Sequence, residues 1–423
     1  MMSNTLHILT TTPFRTASVA LCFAVALGAT GAAQAQPSTT DGNTKTIAPQ
    51  RSPDSNYSSW ADHLKIGGAL RFNYRYEDWS SSSKQQGGGD ISFDTFYLNL
   101  KGEKNDFFFD ASYWFKDNGV QALERGYFGY RLSTSSRVEL GATFEPFGIM
   151  PYPQFGWTFN IPFYLGMGHT TALGIKYVYD TPQWEAQFGF FKNPLSVDTR
   201  YAPNVATTMQ VDDEFVAPSN VNQANEKQNQ LSGRLVRKFQ GDGWTSSLGA
   251  SGYVGQLYNN TTDRNGGYWG AEVHSLTTVG PWNVQLQGIR YAFDPENPAG
   301  VSDDSVLFAG PGTPSYRVAA KGTVGVFNVA YDLPTPSGPI TKLRFYNDYS
   351  RLMKDENGWS DSQMNTVGVQ FFALPVMGWL DFTWGKNMNM MGGRPGGVGL
   401  ASASSEGSDE WEFRTNLNIG YYF

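Results

Sequence analysis

The sequence predicts an all-β chain: a transmembrane antiparallel β-barrel of about 16 strands with long external loops and short periplasmic turns. Three observations carry that expectation. Apolar residues recur with a period of two, the alternating segments run about 10–13 residues, and the connections between them are tight and long by turns. Composition agrees: 47 of the 423 residues are Gly and 15% are aromatic, residue types that fill helices poorly. The formal net charge is −7, so no basic field points to nucleic acid. A mean hydropathy of −0.39 excludes a bundle of membrane helices, each of which needs about 20 consecutive apolar residues.

The N-terminus reads as an export signal. Residues 16–33 are apolar, small and uncharged, Arg15 precedes them, and Ala33 and Ala35 stand at the −3 and −1 positions of a cleavage site after Ala35. The expected organisation is therefore a signal peptide (1–35), a Pro- and Ser-rich periplasmic segment (36–60) and a barrel domain (61–423). Export addresses the barrel to the bacterial outer membrane. The single cysteine, Cys22, falls inside the signal, which leaves the mature chain without a disulfide or a thiolate ligand.

Both ends of the domain show the alternation plainly. Leu64, Ile66, Gly68, Leu70, Phe72, Tyr74 and Tyr76 share one face, while Lys65, Gly67, Ala69, Arg71, Asn73 and Arg75 share the other. Near the C-terminus Trp411, Phe413, Thr415, Leu417, Ile419, Tyr421 and Phe423 oppose Glu412, Arg414, Asn416, Asn418, Gly420 and Tyr422. A strand separates even from odd positions automatically, and a helix cannot. Segments of this kind begin near 64, 91, 106, 121, 137, 170, 183, 229, 244, 267, 282, 321, 340, 363, 377 and 410, an even count that suits a closed barrel.

The connections sort by the same logic. Tight turns are expected at 102–105, 133–136, 180–182, 240–243, 279–281, 334–339 and 374–375. The intervening connections, at 77–90, 146–169, 193–228, 259–266, 294–316, 352–361 and 387–409, are mostly longer, with a short exception at 117–120. Trp184, Trp244, Trp269, Trp282, Trp384 and Trp411 stand at strand ends on the apolar face, where an interfacial girdle needs rings with an apolar body and a polar edge.

One stretch carries more than barrel pattern. Within 93–190, the run 138–148 contains Gly141, Phe144, Pro146, Phe147 and Gly148, a Gly-x-x-Phe-x-Pro-Phe-Gly spacing at the end of a strand. It resembles the phosphate-selective porin O and P family, in which this element leads into an inward-folded third loop. The resemblance implies a sixteen-stranded outer-membrane porin, usually a homotrimer. In this chain the corresponding loop, 146–169, contains no Lys, Arg, Asp or Glu and instead holds Phe147, Tyr152, Phe155, Trp157 and Phe159.

The function of a pore sits on side chains that face the lumen and on whatever narrows it. By parity the inward cations include Arg71, Arg75, Arg125, Arg137 and Arg344, with Arg234, Lys238, Lys342 and Arg414 beside them. The inward acids include Asp94, Glu139 and Glu145, with Asp110, Asp348, Asp381 and Glu412. These charges either set up a transverse field or pair across strands. The aromatic loop either stacks on solutes, packs against the inner wall, or remains an ordinary external loop.

Catalysis is not expected. The mature chain has only His63, His169 and His274, no Gly-x-Ser-x-Gly, and no arrangement that puts a Ser and an acid around an imidazole. No metal or cofactor is expected either. The expectation is thus a passive diffusion channel for small hydrophilic solutes and ions, in contact with outer-membrane lipid, with selectivity set by loop 146–169 and the lumen charges. Two alternatives stay open: an anion- or phosphate-selective porin, and a non-conducting barrel that serves as adhesin or anchor.

Overall fold

Each of the sixteen alternating segments is a strand, and the first strand pairs with the last. A computed structural model describes residues 63–423 apart from 81–86, 118, 196–201, 204–208, 212–213, 217–222, 311–312, 335–337, 389–390, 392–399 and 401–408. The expected signal (1–35) and N-terminal segment (36–60) lie outside the described residues. In barrel order the first seven strands are β1 (Lys65–Glu77), β2 (Asp90–Lys104), β3 (Phe107–Lys116), β4 (Gln121–Arg131), β5 (Ser136–Phe144), β6 (Thr171–Asp180) and β7 (Trp184–Pro194). Then come β11 (Asn225–Gly241), β12 (Trp244–Asn259), β13 (Arg264–Val279) and β14 (Trp282–Asp294). The circuit ends with β17 (Lys321–Pro334), β18 (Lys342–Lys354), β19 (Ser362–Ala373), β20 (Val376–Lys386) and β21 (Glu412–Tyr422). The largest departure from the expected starts is at β11, which begins at Asn225 rather than near 229.

The seam between β1 and β21 is antiparallel, with Ala69 opposite Tyr422 and Arg75 opposite Asn416. The last residue completes it: Gly68 N–H donates to the Phe423 carbonyl at 2.9 Å, and Phe423 N–H donates to the Gly68 carbonyl at 3.1 Å. A Cβ at Gly68 would stand 2.2 Å from the Tyr97 carbonyl and 2.8 Å from the Phe423 ring, so the seam needs glycine there. Closure leaves no sheet edge, the condition for a sheet in hydrocarbon.

The parity reading of the two faces holds. Ile66, Phe188 and Val273 point outward and are 63%, 58% and 62% exposed, in company with Leu70, Phe128, Leu231, Leu248, Val254 and Phe327. An apolar surface of this extent has the pattern of the outward face of a membrane-spanning barrel. Trp184, Trp244, Trp269, Trp282, Trp384 and Trp411 are exposed on this face as expected. The tight turns that lie wholly among the described residues also fall where expected, with Asn105, Gly243 and Gly280 taking positive φ in three of them, while part of the one expected at 334–339 lies outside the described residues.

The structure corrects the reading of two connections as plain loops. Within 193–228 lie the short strands β8 (Ala202–Pro203), β9 (Met209–Val211) and β10 (Glu214–Val216). In the connection expected at 294–316 a hairpin begins, β15 (Ser305–Gly310) and β16 (Thr313–Ala319), which runs three residues past the expected end, and β8 adds to it as a third strand. Their shortness hides them from a search for membrane-length segments.

The interior is not polar throughout. At the long-loop end the inward residues Tyr253, Leu257, Tyr268, Ile289, Tyr291, Phe293, Val324, Leu352 and Met364 form a dry cluster. Val306, Phe308, Tyr316 and Val318 of the β15–β16 hairpin fill it from inside, with Met388, Met391 and Leu400. The lumen face of β12–β19 is apolar there because it meets protein rather than water. Each large side chain buried in this way contributes about 1.5–3 kcal/mol.

Val254 stands on the outward face of β12 between Leu231 and Trp269. Val254→Arg is expected to destabilise the barrel in lipid by about 2–4 kcal/mol if that face meets the bilayer core. Reversible denaturant unfolding from vesicles measures it, and an unchanged midpoint would contradict the assignment of the face.

Candidate functional site: an inward loop and a charged wall

The loop between β5 and β6 enters the barrel because its two ends are held at the wall and its middle finds partners on the far side. Gly141, with φ +129°, and Gly148, with φ +65°, adopt backbone that disfavours any other residue, which accounts for both glycines of the motif. A Cβ at Gly141 would meet the Gly126 carbonyl at 2.6 Å. Glu145 N–H donates to the Thr170 carbonyl at 2.8 Å and closes the neck of the loop.

Beyond the neck the loop reaches β17–β20. The Asp348 carboxyl accepts from Phe155 N–H at 2.9 Å and Gly156 N–H at 2.7 Å, and the Asp381 carboxyl accepts from Thr158 N–H at 2.6 Å and from the Tyr346 hydroxyl. Asn328 Nδ2 donates to the Pro153 carbonyl at 2.7 Å, and Ile161 N–H to Ser350 Oγ at 3.2 Å. Strand β20 lies six positions around the barrel from β5, and β18 lies seven from β6 in the other direction. The loop therefore crosses the lumen, which excludes its reading as an ordinary external loop. A single helical turn, α1 (Ile161–Tyr164), ends the crossing, and the Tyr316 hydroxyl donates to the Tyr164 carbonyl.

The expected constriction residues split by task. Phe147 is buried against Tyr253, with ring centroids 4.8 Å apart. Tyr152 stacks on His169 at 4.1 Å and lies 5.9 Å from Phe159, which in turn stacks on Phe163 at 3.6 Å. These rings pack on one another and on the wall. Phe155 and Trp157 remain half-buried under cations: Arg344 lies 5.4 Å from the Phe155 centroid and Arg71 lies 4.5 Å from that of Trp157. Such contacts contribute about 0.5–2 kcal/mol each.

The expected charges all face inward, and most are neutralised in pairs. Arg71 Nε lies 2.9 Å from Asp94, and Arg125 lies 3.0 Å from Asp110 and 2.7 Å from Glu124. Arg344 is bidentate on Asp332 at 2.6 and 2.8 Å. Glu139 joins Arg137 at 2.8 Å to Lys176 at 3.0 Å, and Glu145 accepts from Gln230 at 2.7 Å. Arg75 is different: its nearest carboxylate, Glu77, is 3.9 Å away and its side chain is 46% exposed to the lumen. Arg414, on the neighbouring strand opposite Glu77, is 8% exposed and has no ion-pair partner within 4.0 Å among the described residues. Among the described residues, its Nε and the Asn416 Nδ2 beside it have no hydrogen-bond acceptor.

Parity missed Glu124, and the cause is a β-bulge. The register of β3 on β4 shifts between Ser112 and Tyr113, so Glu124 and Arg125 both turn inward. A second bulge, between Arg71 and Phe72, brings Asp94 to Arg71. The histidines also differ from expectation. His169 Nε2 is 2.7 Å from Glu124, and His274 Nδ1 is 2.9 Å from Glu272, an i, i+2 neighbour on the same strand face. The Ser251 hydroxyl donates to Glu272 at 2.7 Å and not to an imidazole.

Removing the Asp348 carboxyl leaves two backbone N–H groups of the loop without their acceptor, at a cost of about 1–3 kcal/mol each if they stay dry. In a conducting barrel, Asp348→Ala with Asp381→Ala is expected to raise single-channel conductance and its noise. Planar-bilayer recording reads both, and an unchanged conductance would contradict the crossing.

No protein-family model matches the chain, and no curated protein matches it in sequence. Solved structures do match in fold. The outer membrane channel DcaP of Acinetobacter baumannii aligns at 13% identity with a TM-score of 0.52, over 85% of this chain and 97% of that one. OmpT, an outer membrane protein of Vibrio cholerae in its trimer form, aligns at 12% identity with a TM-score of 0.51, over 85% of this chain and 99% of that one. Pseudomonas putida OprB aligns at 10% identity with a TM-score of 0.51, over 87% and 96%. What this chain shares with them is the closed sixteen-stranded antiparallel barrel of outer-membrane proteins.

Proposed function

We propose that this chain is an outer-membrane porin that lets small hydrophilic solutes and ions diffuse passively into the periplasm. The observation that carries the reading is the inward loop: it crosses a barrel whose outer face is apolar and leaves a wall of charged residues facing the remaining lumen. An anchor or adhesin has no use for a loop tied across its own interior. Outer-membrane lipid would contact the outer face, and the signal expected at 1–35 would deliver the chain there. A homotrimer fits the porin reading, and the OmpT structure of similar fold is described in a trimer form.

Selectivity follows from charges left without a close partner. Arg71, Arg125, Arg137 and Arg344 each sit within 3.0 Å of a carboxylate and contribute little net field. Arg75 and Arg414 sit on adjacent strands with weaker compensation. This favours a second, finer reading, a preference for anions such as phosphate or carboxylates, in line with the motif at 141–148. The uncharged loop adds no cation of its own.

Single-channel current in a planar bilayer across a KCl gradient tests both readings. Discrete steps support the porin, and the absence of steps would promote the anchor. A reversal potential on the chloride side, with block by added phosphate, supports the anion reading; weakly selective steps without block support the general pore. Arg75→Ala with Arg414→Ala is expected to move the reversal potential toward potassium, and an unchanged potential would remove these two residues from the filter.

A further inference from the structure

We propose that the lumen beside the tip of the inward loop is a binding subsite for aromatic carboxylates, with the carboxylate on Arg75, Arg414 and Asn416 and the ring against Trp157 and Trp379. The inference deepens the porin reading and rests on it for passage of the solute, though not for its binding. Aromatic rings stand among the charges on the inward face of β2, β3, β20 and β21. Tyr97 of β2 and Tyr422 of β21 lie opposite Ala69 of β1 from either side, and Tyr97 also lies opposite Trp114 of β3. The crossing loop sets Trp157 against Trp379 of β20, with ring centroids 5.4 Å apart. The Arg71 guanidinium joins the two groups, 5.2 Å from the Tyr97 centroid and 4.5 Å from that of Trp157. Unlike Tyr253 and Tyr291 of the dry cluster, these rings are only partly buried, so apolar ring surface stays wet beside the passage.

Unused donors lie next to the rings, toward the long-loop end. Asn416 of β21 stands between Arg75 on β1 and Asp381 on β20. Arg414 and Asn416 are 8% and 3% exposed, yet Arg414 Nε and Asn416 Nδ2 find no acceptor among the described residues. Asp381 does not serve them, because its two oxygens already accept from Thr158 N–H and the Tyr346 hydroxyl. A buried donor without an acceptor is costly, and a carboxylate is the group that accepts on two oxygens and donates nothing. Arg75, exposed to the lumen and 3.9 Å from its nearest carboxylate, adds positive charge at the same place.

Register sets the distance between the two features. Trp379 lies opposite Asn418, two positions along β21 from Asn416, which is about 7 Å of strand. That spacing is on the scale of a benzoate anion laid along the wall. The loop fixes the depth, since Asp381 holds the Thr158 N–H and thereby keeps Trp157 at the level of Trp379. Inorganic phosphate would satisfy the donors and leave the rings wet. A neutral sugar would cover the rings and bring no anion to the donors. An aromatic carboxylate answers both.

Saturation-transfer NMR of solutes added to the full-length barrel refolded in detergent tests the subsite, with empty micelles as the blank. Benzoate is expected to bind roughly 3- to 10-fold more tightly than cyclohexanecarboxylate, which carries the same charge on a ring without a π face. Neither glucose nor phosphate at equal concentration is expected to displace it. Trp157→Leu is expected to bring the two acids to near parity, and Arg414→Gln to weaken both alike. Equal binding of the two acids, a preference that survives Trp157→Leu, or displacement of benzoate by glucose or phosphate would each overturn the proposal. Should Trp157→Leu not fold, the solute series on the unsubstituted barrel still decides it. Bilayer recording separates the two readings: no steps with any solute defeats the porin, while the binding series alone judges the subsite.

Discussion

A peptide group in hydrocarbon has no water to turn to, so every N–H and C=O in the membrane needs a partner within the protein. That constraint organises the whole chain. It requires a closed sheet and long strands, and it requires that residue 423 meet residue 68. The Gly68–Phe423 bonds pair the two ends of a sheet that would otherwise present a raw edge to lipid. It also forces the simplest division of labour a strand allows, with alternate side chains given to lipid and to the interior.

A barrel of sixteen strands encloses more space than side chains on its wall fill. This chain fills part of that space with its own connections. The β15–β16 hairpin brings apolar residues inward, where they meet Tyr291, Phe293 and Leu352, and the β5–β6 loop brings backbone N–H groups, where they meet Asp348 and Asp381. Both solutions obey one rule: a buried group is matched in kind. The charged wall follows the same rule. Its arginines are mostly paired, because two opposite charges close together cost less to hold in a narrow lumen than either alone. The departures from pairing, Arg75 and Arg414, stand out for that reason.

Much of this was legible in the sequence, and the limits of legibility have physical causes. Period-two alternation is strong wherever one face meets lipid, so all sixteen barrel strands and their starts could be read, as could the inward direction of Arg71, Arg137, Glu139, Asp348 and Arg414. Alternation says nothing about short strands in water or in the lumen, and β8–β10, β15 and β16 were missed. It also fails at a bulge, where two consecutive residues share a face, and so Glu124 was missed beside Arg125. Pairing was harder still. Parity places Arg344 inside, but only strand register brings it to Asp332. The role of Gly148 could be suspected from its motif, whereas its partners Arg234 and Ser251 stand on two other strands, β11 and β12.

The dry cluster gives the barrel two unlike sides. Along β12–β19 the wall is backed at the long-loop end by a packed apolar layer, while along β1–β4 and β21 it carries polar side chains that meet the inward loop only at points such as Arg71 and Glu124. A double layer resists bending and a single sheet yields. Thermal fluctuations of the cross-section therefore concentrate on the thin side, and amide protons there exchange sooner than those of the thick side. In the proposed porin the remaining lumen would run beside the more compliant half, and its width would be a fluctuating quantity set by the softness of one wall against the stiffness of the other.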